Sequence, residues 1–236
     1  LLARGADANA TINGLSPLHH ACVHGRMNVM MLLLDREADV DVRCPTDDET
    51  PLHIAARKGD AEAIRILCEH GADTEVRNSS SYTPLYVAAV RGDSAAIREL
   101  AGHGAQLDEC NGTIGNFPLR ATAWKGDIEA VIALLSCGAN IAAHDSSSRR
   151  TALDTAILNG KYEAAEVLIA CGADVNSRTT SDMRTALFHA SSESHLNTFS
   201  LLCLLCDAGA HLEVVDDHKA TPLLLASKFA RVHGTL

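Results

Sequence analysis

Cys203 and Cys206 enclose two leucines in the segment CLLC. That C-x-x-C spacing can carry a redox disulfide or supply half of a zinc site. Such a pair becomes reactive at a helix N-terminus, where the helix dipole lowers the thiol pKa. Here it falls late in an apolar helical run, and no second C-x-x-C or H-x-x-x-H follows at zinc spacing. The pair therefore reads as helix packing. His19, His53 and His189 are the candidate general bases among twelve histidines, but they recur at one position of a repeated motif, which points to a structural duty. The chain has no G-x-S-x-G elbow, glycine-rich phosphate loop or HExxH. Without a coherent catalytic constellation, the expectation is a chain that is not an enzyme, with no cofactor and no metal ligands.

The elements that would position these residues are written repeatedly. Aligned on the residue before a helix-opening pair, the chain reads SPLHHA, TPLHIA, TPLYVA, FPLRAT, TALDTA, TALFHA and TPLLLA. The aligned positions are Ser16, Thr50, Thr83, Phe117, Thr151, Thr185 and Thr221, spaced 34, 33, 34, 34, 34 and 36 residues apart. A Ser or Thr hydroxyl can cap the free N–H groups of a helix, and Pro suits the first helical position because no N–H is needed there. The following residue is Leu in all seven copies, from Leu18 to Leu223, and should point into a stack. Three residues on, Ala21, Ala55, Ala88, Ala156, Ala190 and Ala226 let helices approach closely, with Thr122 the exception. Gly25, Gly59, Gly92, Gly126 and Gly160 should end a short first helix in left-handed backbone. A second helix follows, with Ile64, Leu67 and Cys68 or Val131, Leu134 and Leu135 at helical spacing, and a further glycine stops it. A polar, extended turn leads to the next copy.

These motifs, with GADVN, GADTE and GANIA after the second helix, resemble the ankyrin repeat family over essentially the whole chain. The resemblance implies an all-α solenoid of stacked helix-turn-helix pairs with short β-hairpin fingers. Residues 1–236 then form a single ankyrin repeat domain of about six full repeats, anchored at 16, 50, 83, 117, 151 and 185, with partial repeats at 1–10 and 221–236. One copy cannot bury its own apolar face, so stability comes from stacking. The resemblance also gives His19, His53 and His189 a hydrogen bond to backbone between adjacent repeats. Asn176 looks like the hairpin asparagine that an asparaginyl hydroxylase modifies in some ankyrin proteins, with Leu168 and Val175 suitably placed. The plainer reading is a turn residue satisfying its own backbone.

Several positions depart from the pattern. Phe117 cannot cap and Arg120 replaces the usual His, so the fourth repeat should be less regular. Glu37 replaces a capping Gly at a cost of about 1 kcal/mol if left-handed backbone is kept. The sixth repeat carries about three extra residues, with Ser194 in place of its Gly, so its second helix is longer or follows a longer loop. Ala230 stands where the last repeat should have Gly, and Gly234 comes late.

Aromatics make up only 3% of the chain, so the core must be Leu, Ala, Ile and Val. A net charge of −10 argues against a non-specific nucleic-acid binder, because phosphate binding rests on Lys and Arg. No run of eighteen apolar residues predicts a membrane span. Eight cysteines in a long chain without a secretory signal suggest reduced, mostly buried thiols in an intracellular protein, cytoplasmic or nuclear. Leu1 is not a start methionine, so the chain is expected to be a piece of a longer one.

Ankyrin-like proteins bind through hairpin tips and the exposed face of the first helix. The residue pairs before the helix-ending glycine are Val23–His24, Arg57–Lys58, Val90–Arg91, Trp124–Lys125, Leu158–Asn159 and Ser192–Glu193. The tips offer Asn13, Leu15, Asp47, Glu49, Tyr82, Ile114, Asn116, Arg150, Asp182 and Arg184. Arg57, Lys58, Arg91 and Lys125 make a basic stripe over three repeats of an acidic chain, with the only Trp, Trp124, beside it and Tyr82 one repeat away. Trp, Tyr and Arg are common interface hot spots. The partner-binding candidates are thus Arg57, Lys58, Tyr82, Arg91, Trp124, Lys125 and Arg150. The expected function is a monomeric, non-catalytic module that binds a protein partner on its concave and hairpin surface. The alternative is the substrate-recruiting or regulatory arm of a larger enzyme, ubiquitin-ligase adaptor, channel or immune-type signalling protein.

Overall fold

Each Ser or Thr that opens a repeat lies in extended backbone, and a helix starts on the residue after it. The computed structural model describes residues 6–112, 116–145, 148–192 and 198–232, in two compact units, Leu1–Ile114 and Gly115–Leu236. The first unit contains α1 (Pro17–Val23), α2 (Met27–Leu34), α3 (Pro51–Lys58), α4 (Ala61–Glu69), α5 (Pro84–Arg91) and α6 (Ser94–Gly102). The second contains α7 (Pro118–Lys125), α8 (Ile128–Ser136), α9 (Ala152–Leu158), α10 (Tyr162–Ala170), α11 (Ala186–Ser191), α12 (Thr198–Asp207) and α13 (Pro222–Val232). In the first unit α3 packs between α1 and α5, and α4 between α2 and α6. In the second, the first helices stack in the order α7, α9, α11, α13 and the second helices in the order α8, α10, α12.

The core is the one the repeat pattern demands. Leu18, Leu52, Leu85, Leu119, Leu153 and Leu187 are all buried, as are the small residues Ala55, Ala88, Thr122, Ala156 and Ala190. Each such Leu contributes roughly 1.5–3 kcal/mol, most of it against a neighbouring repeat. Leu223 departs from the expectation, at 77% exposed; among the described residues α13 packs against α11, and Leu225 is the buried leucine of its first turn. Ile64, Leu67, Val131 and Leu134 are buried as predicted, whereas Cys68 and Leu135 are only half-buried.

The glycines end helices in left-handed backbone, with φ of 69° at Gly59 and 84° at Gly126. Gly59 has a second reason to lack a side chain, since a Cβ there would stand 1.9 Å from Asp93 Oδ2 of the next repeat. Asp93 itself caps α6 by accepting from the N–H groups of Ala95 and Ala96. Glu37 does keep left-handed backbone, at φ 59°. The glycine missing at position 230 has a direct consequence, as α13 runs for 11 residues where α1 and α3 run for 7 and 8. In the sixth repeat α12 has 10 residues, one more than α8 or α10. Ser194, and the loop alternative that includes it, lie outside the described residues, as do Glu193, Ile114 and Gly234.

The fourth repeat is more regular than expected. Phe117 makes no side-chain cap, yet α7 is a full helix of 8 residues closed by Gly126. Phe117 is buried, 1% exposed, so it contributes core contact where Thr would contribute a hydrogen bond.

The fingers are tight turns closed by backbone hydrogen bonds, among them Cys44 N–H to Glu49 O, Asn78 N–H to Tyr82 O and Thr179 N–H to Arg184 O. No extended sheet forms among the described residues; isolated bridge positions fall at Ile12 and Leu15, which pair with each other, and at Asn111 and Asn116. Fingers turn in left-handed backbone at Asp48, Ser81, Arg149, Met183 and Lys219, and the first finger at Asn13 and Gly14 together.

Candidate functional site

The first-helix face is held in place by a hydrogen-bonded frame. His19 Nδ1 accepts from Ser16 N–H, and its Nε2 lies 3.1 Å from Glu49 O in the next finger. His53 repeats this with Thr50 and with Tyr82 O at 2.9 Å. An imidazole accepting at Nδ1 and donating at Nε2 is neutral, and burial pushes both His19 and His53 below the usual pKa. Arg120 substitutes an ion pair, its Nη1 lying 2.7 Å from the buried Asp145 of the next finger. Arg184 reaches Asp216 at 3.2 Å in the same manner. His189 breaks the pattern. Among the described residues its Nε2 and the Thr185 hydroxyl are buried without a hydrogen-bond partner, and burial lowers the imidazole to about 4. The predicted inter-repeat bond of His189 is thus not formed, whereas those of His19 and His53 are.

Asn176 is not the self-contained turn residue that the sequence suggested. Its N–H does bond Asp174 Oδ1, but its side-chain amide crosses to the next repeat, accepting from His211 N–H and donating to Gly209 O.

The predicted binding residues divide between the units. Arg57, Lys58, Tyr82 and Arg91 lie in the first, and Trp124, Lys125 and Arg150 in the second. Arg57 and Lys58 are exposed but engaged: Arg57 pairs with Glu49 at 2.5 Å, and Lys58 Nζ donates to Val23 O on the preceding first helix. Glu49 is consequently buried, not a free tip carboxylate. Tyr82 is half-buried, with its ring 4.7 Å from that of Tyr86. Val23, Val90 and Arg91 are exposed. In the second unit Trp124 is 59% exposed and Lys125 pairs with Asp127 at 2.7 Å. Arg150 is half-buried, and its Nε has no hydrogen-bond partner among the described residues. Leu158 and Ser192 are half-buried and Asn159 exposed, while Glu193 lies outside the described residues.

The cysteines overturn an expectation. Only Cys22 and Cys44 are buried; Cys68 and Cys137 are half-buried, and Cys110, Cys171, Cys203 and Cys206 are exposed. Burial pushes the Cys22 thiol up to about 12 and Cys68 up to about 11. Cys203 and Cys206 do not pack the core, because Leu201 and Leu205 occupy the buried face of α12 and positions 203 and 206 fall on the other. All eight thiols are free, and no group of three or more His, Cys, Asp or Glu among the described residues could hold a metal ion. No described helix is long and apolar enough to cross a membrane.

The outer faces of the second helices also carry exposed apolar side chains that no repeat motif marks. Ile132 is 44% exposed on α8 and Phe199 78% on α12. The available signal was the charge content of those helices, which contain Glu and Asp but neither Lys nor Arg.

A family profile described as "Ankyrin repeats (3 copies)" matches residues 1–78, 85–179 and 156–233. The palmitoyltransferase AKR1 of Lachancea kluyveri is 34% identical over 71 residues, 30% of this chain and 10% of that protein. The human ankyrin repeat and SOCS box protein 11 is 36% identical over 80 residues, 34% of this chain and 24% of that protein. The matched segments are thus a small part of these relatives' length. The crystal structure of the ankyrin repeat domain of Bcl-3, a member of the IkappaB protein family, superposes with a TM-score of 0.83 at 26% identity, covering 94% of this chain and all of that one. With the repeat profile spanning most of the sequence and the helix pairs folding as it requires, this chain belongs to the ankyrin repeat family, whose fold is one of protein–protein interaction.

Proposed function

We propose that the chain is a non-catalytic module that binds a protein partner through its first helices and fingers, with Trp124 as the main anchor in the second unit and Arg91, beside Val90, in the first. The observation that carries this reading is Trp124 itself. It is 59% exposed on a helix whose Leu119, Ala121, Thr122 and Ala123 are all buried. An indole left in water on a rigid, hydrogen-bonded frame offers a large apolar area with little ordering entropy to lose on binding. Lys125 beside Trp124 in the second unit, and separately Arg91 beside Val90 in the first, each favour acidic partner groups flanked by apolar side chains. In the first unit Arg57 and Lys58 support the frame and contribute charge at its edge, with Tyr82 on a finger beside them; in the second, Arg150 lies on a finger.

The test compares wild type with folded Trp124→Ala and Arg91→Ala variants in capture from a lysate of the source organism. Proteins kept by wild type and lost by the variants identify a partner of this face. Identical captures overturn the assignment. Trp124 emission gives a second readout, since docking on the indole should shift it to shorter wavelength.

A second reading, that the repeats serve as the recruiting or regulatory arm of a larger protein, is favoured by the relatives, in which the matched repeats occupy 10% and 24% of the chain. Fusion of the segment to a reporter enzyme, with partner capture unchanged, would support it.

A further inference from the structure

The second helices of the second unit carry a surface that neither the frame nor the first-helix face uses. α10 packs between α8 and α12. Each helix exposes one stripe at helical spacing: Glu129, Ile132 and Ser136 on α8, Glu163, Glu166 and Ala170 on α10, and Phe199, Cys203 and Cys206 on α12. A shallow groove of about 460 Å³ opens beside Ile132 and Cys171 and is floored by Leu135, Ala139 and Ile141. An acidic ridge is thus flanked by apolar side chains.

The charge of this face is one-sided. α8, α10 and α12 contain four carboxylates, Glu129, Glu163, Glu166 and Asp207, and no Lys, Arg or His. None of the four forms an ion pair among the described residues. Lys161, which precedes α10, lays its stem over Gly126 at the end of α7 instead. The corresponding face of the first unit carries both signs: Arg65 on α4 holds Glu62 at 2.5 Å and Glu69 at 2.6 Å, and α6 carries Arg98 beside Glu99. Unpaired like charges on neighbouring helices repel, and a cationic partner relieves that repulsion while covering the exposed Ile and Phe.

We infer that the outer face of α8, α10 and α12 is a second docking surface, fitted to a basic amphipathic helix of a protein partner. Its apolar residues would enter the groove beside Ile132, and its Lys or Arg residues would pair with Glu129, Glu163 and Glu166.

The test uses the full chain and two labelled helical peptides, one with leucines on one face and lysines on the other, and one with glutamates replacing the lysines. Fluorescence anisotropy gives affinity, and amide chemical shifts of the isotope-labelled protein give the site. The lysine peptide should bind, the glutamate peptide should not, and shifts should fall on α8, α10 and α12. Glu163→Lys/Glu166→Lys should weaken binding about tenfold, while Asp35→Lys/Glu213→Lys, equal in charge change but off the face, should leave it near wild type. Circular dichroism confirms that both variants fold. Trp124→Ala should have no effect, which separates this surface from the first-helix face. No binding of the lysine peptide, equal losses in the two charge variants, equal binding of the glutamate peptide, or shifts on the first helices would each overturn the proposal.

Discussion

Asn176 Oδ1 accepts a hydrogen bond from the backbone N–H of His211, 35 residues later, at 2.8 Å. The same link recurs up the chain: Asn9 accepts from Asp39 N–H at 2.8 Å, Asp41 from Asp73 N–H at 3.1 Å, and Glu75 from Gln106 N–H at 2.9 Å. Ala142 holds the equivalent position before Asp174 and has no side-chain acceptor. Ala142→Asn should therefore add a link, worth about 1 kcal/mol in urea denaturation, and Asn176→Ala should lose a similar amount. If Ala142→Asn is neutral, solvent already satisfies Asp174 as well as a neighbouring side chain would.

Met183 turns its finger at φ 58°, and Glu37 ends α2 at φ 59°. Left-handed backbone costs a non-glycine residue roughly 1–2 kcal/mol, partly offset by the greater freedom of glycine in the unfolded chain. Met183→Gly and Glu37→Gly should each stabilise by about 0.5–1 kcal/mol in thermal or urea melts. Loss of stability on either change would mean that the side chain contributes more than the strain it causes.

His189 should make the sixth repeat acid-sensitive. Burial first, then the fields of Arg150 and Arg184 against that of Asp182, place its folded pKa at about 4, below the ordinary 6.5. With the folded value depressed, the unfolded chain takes up the proton first. Stability is then full above about pH 6.5 and falls as pH drops towards about 4, by about 3 kcal/mol for this group. Burial raises the Asp154 carboxyl and acts in the opposite sense. His189→Leu should flatten the fall in melts taken between those pH values. An unchanged slope would assign the acid sensitivity to the carboxylates.

Cys110, Cys171, Cys203 and Cys206 are exposed, whereas Cys22 is 1% exposed with its thiol at about 12. A thiol reagent at neutral pH should modify the first four quickly in the native protein and Cys22 only after denaturation. Mass spectrometry of the timed reaction reads this directly. Rapid labelling of Cys22 would show that the first unit opens readily.

The helices and their ends were legible in the sequence because the signals that set them are local. Thr before Pro, Leu at the next position and Gly after two turns act within one repeat, and the period of about 34 residues made each copy a check on the others. Even the exceptions had local readings: Glu37 keeps the left-handed turn, and the missing glycine at 230 lets α13 run on. Trp124 was likewise placed correctly on the exposed side of its helix.

Which of the contacts between repeats form was decided by tertiary structure. Leu52 and Leu223 share a residue type and a motif position, yet one is fully buried and the other 77% exposed, because burial depends on the helices stacked on either side. His53 and His189 share a position too, but only His53 finds the carbonyl of the following finger, since a hydrogen bond needs an atom placed by another segment to within a few tenths of an ångström. Glu49, Arg57 and Lys58 stood out in the sequence as finger-tip and stripe charges, and packing also makes them ties within the first unit. Sequence alone determined the repeat and its period. Tertiary packing decided which faces stay open and which charges stay unpaired, because those depend on distances between residues that the chain keeps about one repeat apart.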